Sequence, residues 1–366
     1  MPRPAPMTPT RVNEIDLLRF LAAVSVVFYH YTFRGYAANG LSAMPYPLLA
    51  PTAKYGYLGV ELFFMISGFV VLMTAAASER LRDFCISRIV RLYPGFWVCC
   101  TITYVATIVF GSPQVFTFDQ YLFNMTMLSG LSRIPPIDGA YWSLLVEIRF
   151  YALVAVVLAL GKIHQAQRFL VLWLLACIGL EILAIFPANW IPALALRYLR
   201  YLLIINYATY FIAGATCFLI WSKGISLNGL SVLFASWALA IFQSGASIRE
   251  FEENFKTGLN SRIIISILTA FFLVMLLVSL RRTGPIARYR WPLAGAISYP
   301  LYLLHQNIGY MIFNHLYPTI NAHVLLYGTI IVVVAAAYAI HAIVERRLAS
   351  KMKFALTATL ASRTIS

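Results

Sequence analysis

Stretches of mainly apolar residues, each near the roughly 20 needed to cross a bilayer as a helix, recur from one end of the chain to the other. Read this way, the sequence predicts about ten helices, over 14–33, 57–76, 94–110, 142–160, 169–186, 200–222, 229–244, 263–280, 293–314 and 324–344. Composition agrees. Of 366 residues, 61% are hydrophobic and 11% charged, whereas soluble domains average about 25% charged residues. Water cannot solvate so apolar a surface, which excludes a soluble enzyme, a disordered chain and a secreted disulfide scaffold. The expected fold class is all-α, a polytopic integral membrane protein. No internal repeat is visible, and the longest polar segments (34–56, 111–141 and 245–262) read as ordered loops rich in Pro, Gly and aromatic residues. The first apolar run is long and carries Asp16 and Arg19, so insertion without cleavage of a signal peptide is expected.

The net charge of +15 does not point to nucleic acid, because the basic residues are scattered between apolar runs. Eighteen of the 28 Lys and Arg residues fall in one alternating set of connections, including Arg80, Arg82, Arg88, Arg91, Arg281 and Arg282. The other set holds eight, namely Arg34, Lys54, Arg133, Arg197, Arg200, Arg249, Lys256 and Arg262. The more basic set is predicted to face the cytoplasm. Both termini go with it, which requires an even number of spans. The corresponding division is a cytoplasmic segment over 1–13, a membrane domain over 14–345 and a basic cytoplasmic tail over 346–366. Cys85, Cys99, Cys100, Cys177 and Cys217 show neither CxxC nor Cys/His ligand spacing, so no metal or disulfide framework is expected.

Charged side chains inside a bilayer cost about 2.5–3.5 kcal/mol each on insertion scales, so each needs a reason. The first helix carries Asp16, Arg19 and His30. Arg19 and His30 are eleven residues apart, close to three turns, so they share a face about 16 Å apart along the axis. Asp16 is one turn from Arg19 and is expected to pair with it. In the fourth helix Ser143, Glu147 and Tyr151 recur at i, i+4 spacing, with Glu147 in the outer half. Glu61 lies nearer the outer end of the second helix. In the ninth, Ser298, Tyr302 and His305 form another polar stripe. Snorkelling of Arg19, solvation of Glu61 and Glu147, and packing of His30 and His305 are the structural alternatives. Arg19, Arg88, Arg91 and Arg281–Arg290 crowd the cytoplasmic side, while His30, Glu147 and His305 lie at mid-depth or beyond. A guanidinium-rich inner mouth suits a phosphate-bearing donor. A neutral His near a carboxylate suits general-base activation of a hydroxyl. Periodicity does not separate this arrangement from a proton-coupled secondary transporter, or from a scaffold whose polar stripes serve packing.

At these residues the sequence resembles the membrane acyltransferase-3 family, the bacterial polysaccharide O-acyltransferases, nearly end to end. Arg19 and His30 fit its Arg-X10-His pattern, and Gly59-Val60-Glu61-Leu62-Phe63-Phe64-Met65-Ile66-Ser67-Gly68-Phe69 is similar to its second-helix signature. Arg88-Ile89-Val90-Arg91-Leu92-Tyr93-Pro94 resembles its Arg-X-X-Arg loop. Trp142-Ser143-Leu144-Leu145-Val146-Glu147 and Ile297-Ser298-Tyr299-Pro300-Leu301-Tyr302-Leu303-Leu304-His305 complete the set, in the family's order. The resemblance implies an acyl-CoA donor, usually acetyl-CoA, and O-acylation of a carbohydrate or glycolipid acceptor such as an exopolysaccharide, in the bacterial inner membrane. It implies His30 as catalytic base, Arg19 as a positioning or charge-stabilising residue, and Arg88 and Arg91 as donor-binding residues. Glu147 or His305 would orient the acceptor or the imidazole, with Tyr302, Ser143, Glu61 and Asp16 in support. Some relatives carry a further C-terminal hydrolase-like domain, which is not expected here.

Overall fold

The computed structural model describes residues 11–37, 40–78, 80–111, 114–132, 134–186 and 192–362. Among them every regular element is helical. The principal helices are α1 (Asn13–Tyr29), α2 (Gly59–Ala77), α3 (Leu81–Phe110), α4 (Trp142–Ala159), α5 (Ala166–Ile185) and α6 (Ala193–Leu202). They are followed by α7 (Ile205–Lys223), α8 (Leu227–Phe255), α9 (Ser261–Ser279), α10 (Pro292–Leu316), α11 (Ala322–Ile340) and α12 (Arg346–Ser362). Among the described residues, nine helical stretches are long and apolar enough to cross a membrane. The predicted span over 293–314 is the 25-residue α10, whose Ser298, His305, Gln306 and Asn307 dilute its hydropathy. The protein is therefore an all-α polytopic membrane protein. Arg3, Arg133, Arg363 and most of the predicted 1–13 segment lie outside the described residues.

Several boundaries differ from expectation for physical reasons. The third helix starts at Leu81 rather than 94, so the Arg88–Arg91 segment is helix and not loop. Charge hides it from hydropathy, and Pro94 sits inside α3, as membrane helices tolerate. The region over 245–262 is mostly the polar continuation of α8 to Phe255. The predicted 200–222 span resolves into the short amphipathic α6 and the buried α7. Beyond α11 the chain passes through a π-turn at His341–Glu345 into α12, so the basic tail is helical to Ser362.

The chain forms two compact units. The first comprises Glu61–Leu81 and Val146–Arg290, with the chain up to Ile15. Its centre is α7, buried without interruption from Ala208 to Ile220. There α2 and α7 cross with their backbones touching. A Cβ on Gly214 would collide with the Met65 carbonyl, and one on Gly68 with that of Phe211. Small residues allow this approach where lipid supplies no hydrophobic drive. Phe150 stacks on Phe211 at 4.3 Å beside the crossing. The second unit comprises Asp16–Val60, Arg82–Leu145 and Trp291–Ser366. Its α10 is buried over nearly every turn, and Tyr299 donates to the Leu92 carbonyl of α3 at 3.0 Å.

Overpacking a tight core costs about 1–3 kcal/mol or more. Gly214→Leu is therefore expected to lower the unfolding temperature of the detergent-solubilised protein sharply. Gly328→Leu should leave it nearly unchanged, because a side chain there meets open space.

Candidate functional site

The end of α1 does not continue as α-helix. His30–Arg34 form a π-turn in which His30, Tyr31, Thr32 and Phe33 are buried. Such turns insert a residue into the helical ladder and concentrate at functional sites. The turn places the His30 ring so that Nδ1 lies 2.9 Å from the Val26 carbonyl. The imidazole of His305, from α10, meets it edge-on, with ring centroids 4.7 Å apart and Nε2 3.0 Å from His30 Nδ1. His305 Nδ1 in turn lies 2.7 Å from the Tyr302 carbonyl.

These contacts define the tautomers. A carbonyl only accepts, so each Nδ1 beside one carries its proton. His305 Nε2 is then an acceptor, and His30 Nδ1–H donates between it and Val26. The remaining nitrogen, His30 Nε2, keeps its lone pair, and the guanidinium Nη1 of Arg34 approaches it at 3.4 Å. Both rings are fully enclosed, with His30 4% and His305 0% exposed.

A polar frame fixes α10 around this pair. Tyr31 donates to the His305 carbonyl at 2.7 Å. Asp138, wholly buried just before α4, accepts from the Ala140 amide at 2.9 Å and the Asn307 amide at 3.0 Å. Burial pushes its carboxyl up to about 6, while the two amides and the Arg34 guanidinium pull it back. Asn307 donates through Nδ2 to the Ile137 carbonyl at 2.6 Å. Ser143 and Tyr302 share a hydroxyl contact of 2.7 Å, and Tyr302 also donates to the Ala140 carbonyl at 3.0 Å. Arg34 Nε, Gln306 Oε1 and the Tyr310 hydroxyl are among the polar atoms of this unit that are buried with no hydrogen-bond partner among the described residues. Buried polar groups are rarely left so.

The structure thus brings together His30 with His305 and Ser143 with Tyr302. Arg19 lies on α1 eleven residues before His30, about 16 Å along the axis, too far to touch the imidazole. Asp16 is buried against Gly295, where a Cβ would strike its carboxyl. Arg91 stacks over Tyr299 at 5.6 Å, and Arg88 donates through Nε to Ser87 at 3.2 Å. Glu147 and Glu61 belong to the other compact unit. There Glu147 Oε1 accepts from Ser67 and from Tyr151, each at 2.7 Å. Glu61 Oε2 is buried without a hydrogen-bond partner among the described residues.

Sequence reasoning missed Tyr31, Arg34, Asp138 and Asn307. Arg34 reads as a connection charge, yet it stands four residues after His30 in the π-turn. Asp138 and Asn307 lie in a nominal loop and a nominal core stripe, and only the fold pairs them. Among the described residues no group of His, Cys, Asp or Glu side chains converges as a metal site.

Removing the Asp138 carboxylate would strand two buried amides, at about 1–3 kcal/mol each. Asp138→Ala should lower the unfolding temperature markedly, and Asp138→Asn less so. An unchanged transition in both would show that the carboxylate does not brace α10.

A sequence profile for an acyltransferase domain matches residues 12–342. Nodulation protein 10 of Rhizobium leguminosarum bv. viciae is 30% identical over 196 residues, covering 43% of this chain and 52% of that protein. The O-acetyl transferase of Shigella phage Sf6 is 27% identical over 194 residues, covering 48% and 54%. The peptidoglycan O-acetyltransferase OatA of Listeria monocytogenes is 27% identical over 161 residues, covering 38% and 23%. The first two alignments thus span about half the length of each relative. No solved structure matches the chain. With the profile covering almost the whole sequence, the chain belongs to the acyltransferase-3 family.

Proposed function

We propose that the protein is an O-acyltransferase of the bacterial inner membrane that moves an acyl group, acetyl in our reading, from cytoplasmic acyl-CoA to a hydroxyl of a carbohydrate or glycolipid acceptor such as an exopolysaccharide. The observation that carries this reading is the buried His30–His305 pair, with His30 Nε2 beside the Arg34 guanidinium.

In this mechanism His30 Nε2 takes the proton of the acceptor hydroxyl as its oxygen attacks the thioester carbonyl carbon. A C–O bond forms, and the carbonyl oxygen gains negative charge that the Arg34 guanidinium stabilises. The positive charge on His30 is shared through Nδ1–H with His305 Nε2, as in relays where a second group orients the base. Collapse breaks the C–S bond, and Nε2–H returns its proton to the departing thiolate. The products are the O-acyl ester and free CoA, with no net proton change.

Arg88 and Arg91 are one turn apart on α3 and supply guanidinium forks suited to the donor's phosphates. Tyr299, which Arg91 covers, precedes His305 by six residues, about 9 Å along α10. A donor anchored there has its thioester arm directed along the helix toward the histidines. Asp16 braces α10 from Gly295, and Ser143 and Tyr302 hold the turn before α4. Arg19 serves as a positioning residue on α1. In the other compact unit the carboxylate of Glu147 is held by Ser67 and Tyr151.

His30→Gln and His30→Ala should each lower labelled acetyl transfer in membranes by about 10²–10⁴-fold, the usual worth of general-base catalysis, with acetyl-CoA affinity unchanged. Activity retained by a folded His30→Ala protein overturns the mechanism. Arg88→Lys and Arg91→Lys should insert normally and weaken acetyl-CoA binding about tenfold each, because Lys keeps the charge but loses the fork. If charge alone matters, both bind as wild type and the donor site lies elsewhere.

A further inference from the structure

Within the first compact unit lies a cavity of about 390 Å³. Arg149, Arg197, Arg200, Tyr201, Asn206 and Tyr207 line it, and no acidic residue is among the lining. Arg149 rests on the face of Tyr201, its guanidinium carbon 3.7 Å from the ring centroid. Its Nε is buried with no hydrogen-bond partner among the described residues. Arg200 is held in place by Glu181 and the Leu180 carbonyl, both at 3.1 Å. Arg149 and Arg197 have no such acidic partner among the described residues.

The backbone adds to this field. The 19-residue α7 begins at the cavity, and its N-cap, Ile204, gives no side-chain cap. Ile204 is left-handed, with φ +56°, a conformation that β-branched residues avoid. Strain of this kind is kept where it serves a site. Here it turns the chain so that the first residues of α7, Ile205 to Tyr207, face the cavity. An uncapped helix N-terminus favours anions.

The neighbouring surface indicates how such an anion arrives. On α6, Leu196, Arg197 and Arg200 face the cavity, while Leu194, Tyr198 and Leu202, at i, i+4, i+8, are exposed. A helix with one apolar face and arginines on the other lies in a membrane interface. The connection bearing Arg197 and Arg200 also belongs to the less basic charge set, the one predicted to lie opposite the cytoplasm.

We propose that this cavity is a phosphate-binding subsite for a lipid-anchored ligand, with Arg149 and Arg197 gripping the phosphate, the α7 N-terminus behind it and the tail lying along α6. The assignment rests on the proposed function in one respect. The ligand is then the glycolipid acceptor itself, carrying a phosphate next to its anchor.

The test uses the full-length protein in phosphatidylcholine nanodiscs, with polyprenyl phosphate, neutral polyprenol and soluble glucose 1-phosphate as probes. Polyprenyl phosphate is expected to bind saturably and polyprenol not at all. Arg149→Gln and Arg197→Gln should each weaken that binding about tenfold, as expected for loss of one charge-assisted contact. Arg149→Lys should fall between, guarding against misfolding of the Gln variant, and Arg249→Gln should match wild type. Acetyl-CoA affinity should be the same in all. Equal binding of polyprenol and its phosphate, or of all variants, overturns the proposal. So does parallel loss of acetyl-CoA binding, which would make the cavity the donor's. Glucose 1-phosphate binding as tightly as the lipid overturns the lipid anchor. These binding arms need no turnover, so failure of wild type to bind or consume acetyl-CoA counts against the proposed function alone.

Discussion

A contact of 3.0 Å between two buried imidazoles is the constraint on which the rest of this site depends. Each ring spends its Nδ1 proton on a carbonyl of its own helix, Val26 for His30 and Tyr302 for His305. Only one arrangement of protons then satisfies the pair, and it leaves a single basic nitrogen aimed away from His305 and toward Arg34. Polar groups buried in this way cost free energy unless each is matched. The match requires α1 and α10 to be held within tenths of an ångström of one another.

That requirement accounts for features that make little sense as membrane packing. The π-turn at His30–Arg34 interrupts an otherwise regular helix, and it places His30 and Arg34 on the same buried face. The polar residues of α10 weaken it as a span, yet Tyr302, His305 and Asn307 are each bonded to a neighbour of the same unit. Tyr31 closes the frame from the π-turn, and Asp138 closes it from the segment before α4. Gly309 leaves room for the Tyr31 ring, since a Cβ there would strike it. A rigid frame of this sort is what precise placement of a base and an oxyanion donor demands.

Much of the architecture is legible in the sequence because lipid imposes a simple rule on length and hydropathy. The rule fails where charge and span overlap. The first turns of α3 are too basic, and α6 is too short and amphipathic, to register as membrane helix. The legible part of the site follows the same logic. His30, His305, Ser143 and Tyr302 stand out as polar exceptions on apolar helices, and the Glu147–Tyr151 bond follows the i, i+4 spacing. Ser143 departs from that stripe because Tyr302 offers its hydroxyl a partner. Arg34 is hidden because helical periodicity of 3.6 does not describe a π-turn. Asp138 and Asn307 are 169 residues apart in the chain, a pairing that no local pattern encodes.

The central claim is that His30 and His305 act as one unit, which a double-mutant cycle on acetyl transfer measures directly. If the second imidazole works only through the first, the double variant His30→Ala/His305→Ala is no slower than His30→Ala alone, the non-additivity shown by residues of a single catalytic assembly. Losses that multiply across the cycle would show two histidines acting independently, and would contradict the account.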